Sequence, residues 1–224
     1  MSTARGGTMP NTVTEAALAD RIAALDDGST RRIIAIVGAP GSGKSTLAEG
    51  LEKALNAQAP GRATVLPMDG FHFDDAVLRQ MDRLPWKGAP DTYDVGGLRS
   101  ALLRLRANEE DAIAVPVFDR ALEISRGSAR LVPPEARLIL AEGNWLLLDE
   151  APWSTLAGLF DLTVMLDVPE AELRRRLTAR WEHYGLEPTQ IAHKLDGNDL
   201  PNGRRMRDNS RPADLTVLQG DAPA

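Results

Sequence analysis

Apolar positions along the chain follow two alternating rhythms. Short aliphatic and β-branched runs at residues 32–37, 63–68, 137–142, 161–167 and 213–218 read as strands buried on both faces. Between them apolar residues recur at helical spacing, as in Leu18, Ile22 and Leu25, then Leu47, Leu51 and Leu55, then Leu98, Leu102 and Leu105. Thr14 and Asp94 stand where two of these helices need N-caps, and Asp26, Asp27 and Gly28 close the first. Pro169, Glu170 and Glu172 open a further helix that carries Arg174, Arg175, Arg176 and Arg180. Five strands alternating with helices predict an α/β fold, a five-stranded parallel sheet with helices on both faces. Pro67 near the end of the second strand favours an edge or terminal place for it. Residues 114–118 read as a short extended piece, 57–61 and 86–94 as loops, and 185–207 as polar and irregular. Residues 1–11 are small and polar and are expected to be disordered, so that 1–30 form a flexible tail and a helical arm. Residues 31–224 then make one domain.

One loop gives this pattern a chemistry. Gly38, Ala39, Pro40, Gly41, Ser42, Gly43, Lys44, Ser45 and Thr46 fit G-x-x-x-x-G-K-[ST], the Walker A phosphate-binding loop (P-loop), between a predicted strand and a predicted helix. Glycines let backbone N–H groups turn toward a polyphosphate, and the helix N-terminus adds positive potential. Lys44 is placed to reach the β- and γ-phosphates of ATP and Ser45 to bind Mg²⁺. The loop alone does not say which phosphate chemistry follows.

Composition narrows the partners. A net charge of −6 argues against a general nucleic-acid binder. The absence of cysteine excludes disulfides, thiolate metal sites and cysteine nucleophiles. No apolar run suggests a secretory signal or a membrane insertion, so the cytoplasm is the expected compartment. Basic residues are mostly arginine, with lysine only at positions 44, 53, 87 and 194.

Acids at neighbouring strand ends point to phosphoryl transfer. Asp69 follows the second strand, where ligands gather in an open parallel sheet, and is the candidate base that takes the proton of an attacking hydroxyl. Glu142 ends the third strand, where a Walker-B-type acid would hold Mg²⁺. Arg176 and Arg180 share a helix face and are placed to close over the transferring phosphoryl group, whereas Arg174 and Arg175 read as surface. His72 is a candidate substrate contact beside aromatic residues. Residues 209–213, before the last strand, are a candidate wall for adenine.

Taken together, the loop, Met68-Asp69-Gly70-Phe71-His72-Phe73, the segment from Lys87 to Asp94 (Lys-Gly-Ala-Pro-Asp-Thr-Tyr-Asp) and Ala141-Glu142-Gly143-Asn144 resemble the phosphoribulokinase/uridine kinase/pantothenate kinase family. The runs 117–126 and 198–203 look most similar to short bacterial kinases described as belonging to fructose transport systems. The resemblance implies a P-loop NTPase with a five-stranded core and a lid after strand four, at about 174–207. It implies ATP- and Mg²⁺-dependent phosphorylation of a small-molecule hydroxyl, with Asp69 as base and Arg176 and Arg180 on phosphate. It places the acceptor around Asp69, Phe71, His72, Tyr93, Phe118, Asp119, Arg120 and Arg126, and suggests a functional link to sugar uptake and a monomer or homodimer. Phe118 stands where uridine kinases have tyrosine, no histidine follows up to Arg126, and the long C-terminal part of pantothenate kinases has no counterpart. A sugar such as fructose is left as the expected acceptor. A nucleoside, pantothenate or glycerate kinase, or an ATP-binding regulator of a transport system, are the alternatives.

Overall fold

The computed structural model describes residues 11–218, so the expectation of disorder in the tail lies, up to residue 10, outside the described residues. Its chain order is β1 (Asn11–Thr12), α1 (Glu15–Ala23), β2 (Arg32–Gly38), α2 (Lys44–Gln58), β3 (Ala63–Pro67), α3 (Asp75–Gln80), α4 (Val95–Ala107), β4 (Ile113–Asp119), β5 (Ile124–Val132), β6 (Leu138–Gly143), β7 (Leu162–Asp167), α5 (Glu170–His183), α6 (Pro188–Lys194), α7 (Leu200–Asn209) and β8 (Leu215–Leu218). Thr14 caps α1 through Ala17 N–H, and the Asp94 carboxylate caps α4 through Gly97 N–H.

The sheet is parallel with strand order β1-β8-β7-β2-β6-β3. It has six strands rather than the expected five. The sixth is β1, which starts at the last residue of the stretch expected to be disordered; Asn11 and Thr12 pair with Leu215 and Thr216 on an edge that would otherwise be open. Pro67 ends the opposite edge strand, as its missing donor requires.

Alternation along the buried strands builds two cores. Ile34, Ile36, Leu138 and Leu140 face α1 and α2, packing with Leu18, Ile22, Leu47, Leu51 and Leu55. Ile33, Ala35, Val37, Ile139 and Ala141 face the other way, onto Leu98, Leu102 and Leu105 of α4 and onto Trp153 and Leu173. A buried cation ties this frame together at the end of the sheet away from the strands' carboxyl edge. Arg31 is 1% exposed, and its guanidinium donates to the carbonyls of Ala136, Leu105 and Pro133 at 2.7, 3.1 and 2.7 Å.

Two stretches depart from expectation. The extended piece at 114–118 is half of an antiparallel hairpin, β4 with β5. The polar sequence of β5 carries no apolar alternation to announce it. Its strand is held by pairing to β4 and by side chains on neighbouring backbone, with Ser125 donating to the Gly70 carbonyl and Arg130 to the Val65 carbonyl. Residues 188–209 are helical, not irregular: α6 runs into a π-helical turn at Leu195–Asp199 and then α7. Gly197, Pro201 and Gly203 suggest a broken segment, yet Ile191, Leu195, Leu200 and Met206 are all buried. The wider π turn carries the five-residue step from Leu195 to Leu200 while keeping both on the inner face.

Candidate functional site

Sheet order brings the separated motifs together. β2 and β3 flank β6, and Glu142 is in register with Ile36 on one side and Pro67 on the other. The loop after β2, the turn after β3 and the end of β6 therefore share one edge of the sheet, the carboxyl ends of its strands.

The loop has the shape its glycines allow. Gly43 sits at φ 90°, a left-handed conformation costly for other residues, and precedes α2 without capping its free N–H groups. These donors, the helix N-terminus and Lys44 make a cradle for anionic oxygens.

Asp69 is the second residue of a short 3₁₀ turn (Met68–Phe71) directly after β3. One carboxylate oxygen accepts from Arg120 at 2.7 Å and the other from the Tyr93 hydroxyl at 3.3 Å. Gly70 is needed here, because a Cβ would lie 2.4 Å from the Pro116 carbonyl oxygen. Burial pushes the Asp69 carboxyl up, but His72, Lys44 and Arg120 outweigh it and hold it below the usual range. Burial also pushes the His72 ring down, against the opposing pull of Asp69. Burial, reinforced by Asp69, raises Tyr93 well above the ordinary phenol range, so its hydroxyl stays a donor.

Glu142 is 5% exposed and lies beside Ser45, while its Oε2 has no partner. Burial pushes its carboxyl up, Lys44 opposes this, and Asp69 adds to the rise. An orphaned carboxylate oxygen on a residue beside Ser45 and Lys44 fits a divalent cation. Among the described residues no cluster of three or more His, Cys, Asp or Glu could hold a metal by itself. That is the donor set expected for Mg²⁺, which takes one or two protein ligands and completes its shell with phosphate and water.

A cavity of about 540 Å³ extends from the loop outward. Lys44, Asp69, His72, Tyr93, Phe118 and Arg120 line it, as does Arg180. The His72 ring centroid lies 4.0 Å from that of Tyr93 and 4.9 Å from that of Phe118, one aromatic wall beside Asp69. Four expected contacts are not brought there. Phe71 turns into the core. Asp119 caps the hairpin turn through Ala121 and Leu122 N–H, and Arg126 pairs with Asp119 on an exposed surface. Arg176 binds the Ser42 carbonyl of the loop at 3.0 Å and Glu172 at 2.7 Å, a brace on the loop's backbone rather than a lining residue. Arg174 and Arg175 pair with Asp196 and Glu172 on the surface, as expected.

Other lining residues went unassigned in the sequence. Lys87 bonds Asp75 at 2.7 Å and the Glu123 carbonyl at 2.6 Å, and its ammonium lies 5.2 Å from the Phe118 ring centroid. From the α5–α7 side come Trp181, Lys194, Asn198 and Asn202. Arg180 and Lys194 both lie against the Trp181 ring, at 5.3 and 4.6 Å from its centroid. Three of the chain's four lysines, 44, 87 and 194, line this cavity. In a chain that otherwise uses arginine, that choice was the available signal. A second cavity of about 310 Å³ lies beside Ala39, walled by Ser210, Arg211, Pro212 and Ala213.

No family model matches the chain. It is 37% identical over 190 residues to an uncharacterized Escherichia coli (strain K12) protein, YggC, covering 84% of this chain and 77% of that one. It is 31% identical over 199 residues to a putative uridine kinase of Schizosaccharomyces pombe, covering 84% and 83%. A crystal structure of a putative fructose transport system kinase from Silicibacter sp. TM1040 superposes with a TM-score of 0.83 at 41% identity, covering 91% of this chain and 98% of that one. The chain therefore belongs to the phosphoribulokinase/uridine kinase/pantothenate kinase family of P-loop kinases.

Proposed function

We propose that the protein transfers the γ-phosphoryl group of ATP to a hydroxyl of a small molecule, with a sugar such as fructose as the acceptor. The observation that carries this reading is the meeting of Lys44, Asp69 and an aromatic wall in one cavity. The phosphate cradle and Asp69, the carboxylate bonded to Tyr93 and Arg120, face the same space.

In this reading the loop's N–H groups and Lys44 hold the β- and γ-phosphates. Ser45 and Glu142 hold Mg²⁺, which when bound neutralises charge on the phosphate oxygens. The acceptor hydroxyl bonds to the γ-phosphorus as the bond to the β–γ bridging oxygen breaks, ADP leaves, and Asp69 takes the hydroxyl proton. Tyr93 and Arg120 keep that carboxylate oriented. Arg180 supplies positive charge from the α5–α7 side, the segment that would act as the lid. The second cavity, beside Ala39, takes the base of the nucleotide against residues 210–213.

Aromatic faces beside paired charges suit a polyol, whose C–H faces stack on rings and whose hydroxyls need both donors and acceptors. The description of the Silicibacter relative also favours a sugar. ADP release measured across fructose, other sugars, glycerate, uridine and pantothenate tests the proposal. Release that depends on a sugar supports it. Release equal with and without every acceptor, or none with any, turns the reading toward an ATP-binding regulator.

A further inference from the structure

His72 follows the 3₁₀ turn that carries Asp69, and its backbone is held on both sides. Its N–H donates to the Asp69 carbonyl at 3.2 Å. Across from it runs Tyr93, with Phe73 N–H on the Thr92 carbonyl at 3.1 Å and Asp94 N–H on the Phe71 carbonyl at 2.8 Å. The ring is fixed as well. Its centroid lies 4.0 Å from that of Tyr93 and 4.9 Å from that of Phe118, and its Nδ1 is 2.8 Å from the same Asp69 carbonyl oxygen. A carbonyl oxygen can only accept, so this bond requires a proton on Nδ1. In the neutral ring Nε2 is then a lone pair, an acceptor. Burial holds the ring below the ordinary histidine value, with Asp69 pulling the other way, so it is mainly neutral at pH 7.

Nε2 is also the reachable end of the ring. His72 is half-buried and lines the main cavity with Lys44 and Asp69. Among the described residues Nε2 has no hydrogen-bond partner, yet it keeps accessible surface, unlike the buried unpaired oxygens of Glu142 and Asn144. A cation is the wrong partner for it. Imidazole suits zinc, copper or iron rather than Mg²⁺, and among the described residues no three His, Cys, Asp or Glu gather to hold such a metal. Nearby side-chain donors are engaged, Arg120 with Asp69 and Lys87 with Asp75 and the Glu123 carbonyl. Their positive charge beside the ring also disfavours an ammonium group there. A neutral donor remains, and a molecule that presents one hydroxyl to Asp69 can supply it as another. Resting on the kinase reading above, we propose that His72, fixed as the Nδ1–H tautomer, selects the acceptor through Nε2, which accepts a hydrogen bond from a second hydroxyl. The acceptor class is then a diol or polyol, with one hydroxyl on Asp69 and another on His72.

Two experiments on the full chain test this. The chain has only three histidines, at 72, 183 and 193, so ¹⁵N NMR of the imidazoles at pH 8, with His72→Phe to identify the signals, reads the tautomer directly. Nδ1–H should dominate at His72, and a dominant Nε2–H overturns the proposal. The second experiment compares wild type with His72→Phe, which keeps a ring between Tyr93 and Phe118, and with His72→Gln, which offers a carboxamide acceptor. It measures kcat/KM for the acceptor that wild type uses fastest and for its singly deoxygenated analogues, and Mg²⁺·ADP affinity by calorimetry. His72→Phe should lose roughly 10- to 100-fold in kcat/KM, and His72→Gln should recover part of that loss. One deoxy analogue should be penalised by wild type and not by His72→Phe, because the hydroxyl's partner is already gone. Mg²⁺·ADP affinity should stay within about twofold in both variants. Equal penalties for every deoxy analogue in wild type and His72→Phe overturn the proposal, and so does a best acceptor that carries a single hydroxyl. A fall in Mg²⁺·ADP affinity as large as the fall in kcat/KM makes His72 a prop for the turn and overturns it too. No turnover by wild type with any acceptor sinks the kinase reading and this inference with it, whereas turnover with unchanged His72→Phe kinetics sinks this inference alone.

Discussion

In the proposed kinase reading, the donor and acceptor halves of the site are built from different materials. The donor half is backbone: a glycine loop, free N–H groups at the start of α2, and one lysine. The acceptor half is side chain, a wall of His72, Tyr93 and Phe118 with Arg120 bonded to Asp69 and Lys87 bonded to Asp75 beside it. Backbone recognition demands a fixed local sequence, because only certain residues permit the conformation. Side-chain recognition demands only that the fold deliver groups from β3, the 87–94 segment and the β4–β5 hairpin to one place. The first half can be specified by nine consecutive residues, whereas the second needs the whole sheet.

Substitutions should break this contrast in graded order. Lys44→Ala removes the lysine of the phosphate loop, and turnover should fall on the order of 10³-fold with nucleotide affinity falling too. Asp69→Asn should cut kcat by about 10²- to 10⁴-fold while Mg²⁺·ADP affinity by calorimetry stays near wild type. If both variants lose nucleotide binding equally, the halves are not separable.

A pH profile sharpens the comparison further. Asp69 is held below the usual carboxylate range, so the acid limb of kcat/KM should lie below that range, activity being present above it and lost as pH falls through it. Arg120→Gln removes one of the cations responsible and should move the acid limb upward. An unmoved limb would mean that Asp69 is not the group that titrates.

Gly70→Ala places a Cβ against the Pro116 carbonyl and should push the hairpin away from Asp69, at a cost of about 1–3 kcal/mol. The acceptor KM should rise and nucleotide affinity should not. The smallest effect belongs to Trp145→Phe, which loses the bond to the Gly88 carbonyl. About 1 kcal/mol of stability and a few-fold rise in acceptor KM are expected, read from thermal unfolding and initial rates.

This division of materials also explains what the sequence made legible. Buried strands announce themselves by unbroken aliphatic runs, and the loop by its glycines and Lys44, so the central strands and the donor half could be read directly. Asp69 and Glu142 followed from their places at strand ends. Asp119 and Arg126 did not join the cavity although they flank Arg120, because the hairpin turn takes Asp119 as its cap and leaves Arg126 outside. Neither β5 nor α6–α7 could be read from local pattern. One depends on a partner strand, and the other hides its apolar face behind a five-residue step that only a π turn accommodates. Lys87, Asn198 and Asn202 enter the site only once those elements are folded.

Arg31 gives the frame beneath the site an unusual kind of security. Its three partners are main-chain carbonyls, which no accessible pH can neutralise, and its own charge persists far above neutrality. Acid strong enough to silence the carboxylates at the opposite end of the sheet leaves this joint intact. Acid would then switch the enzyme off before this joint loosens, and activity would return with neutrality without Arg31 having to find its partners again.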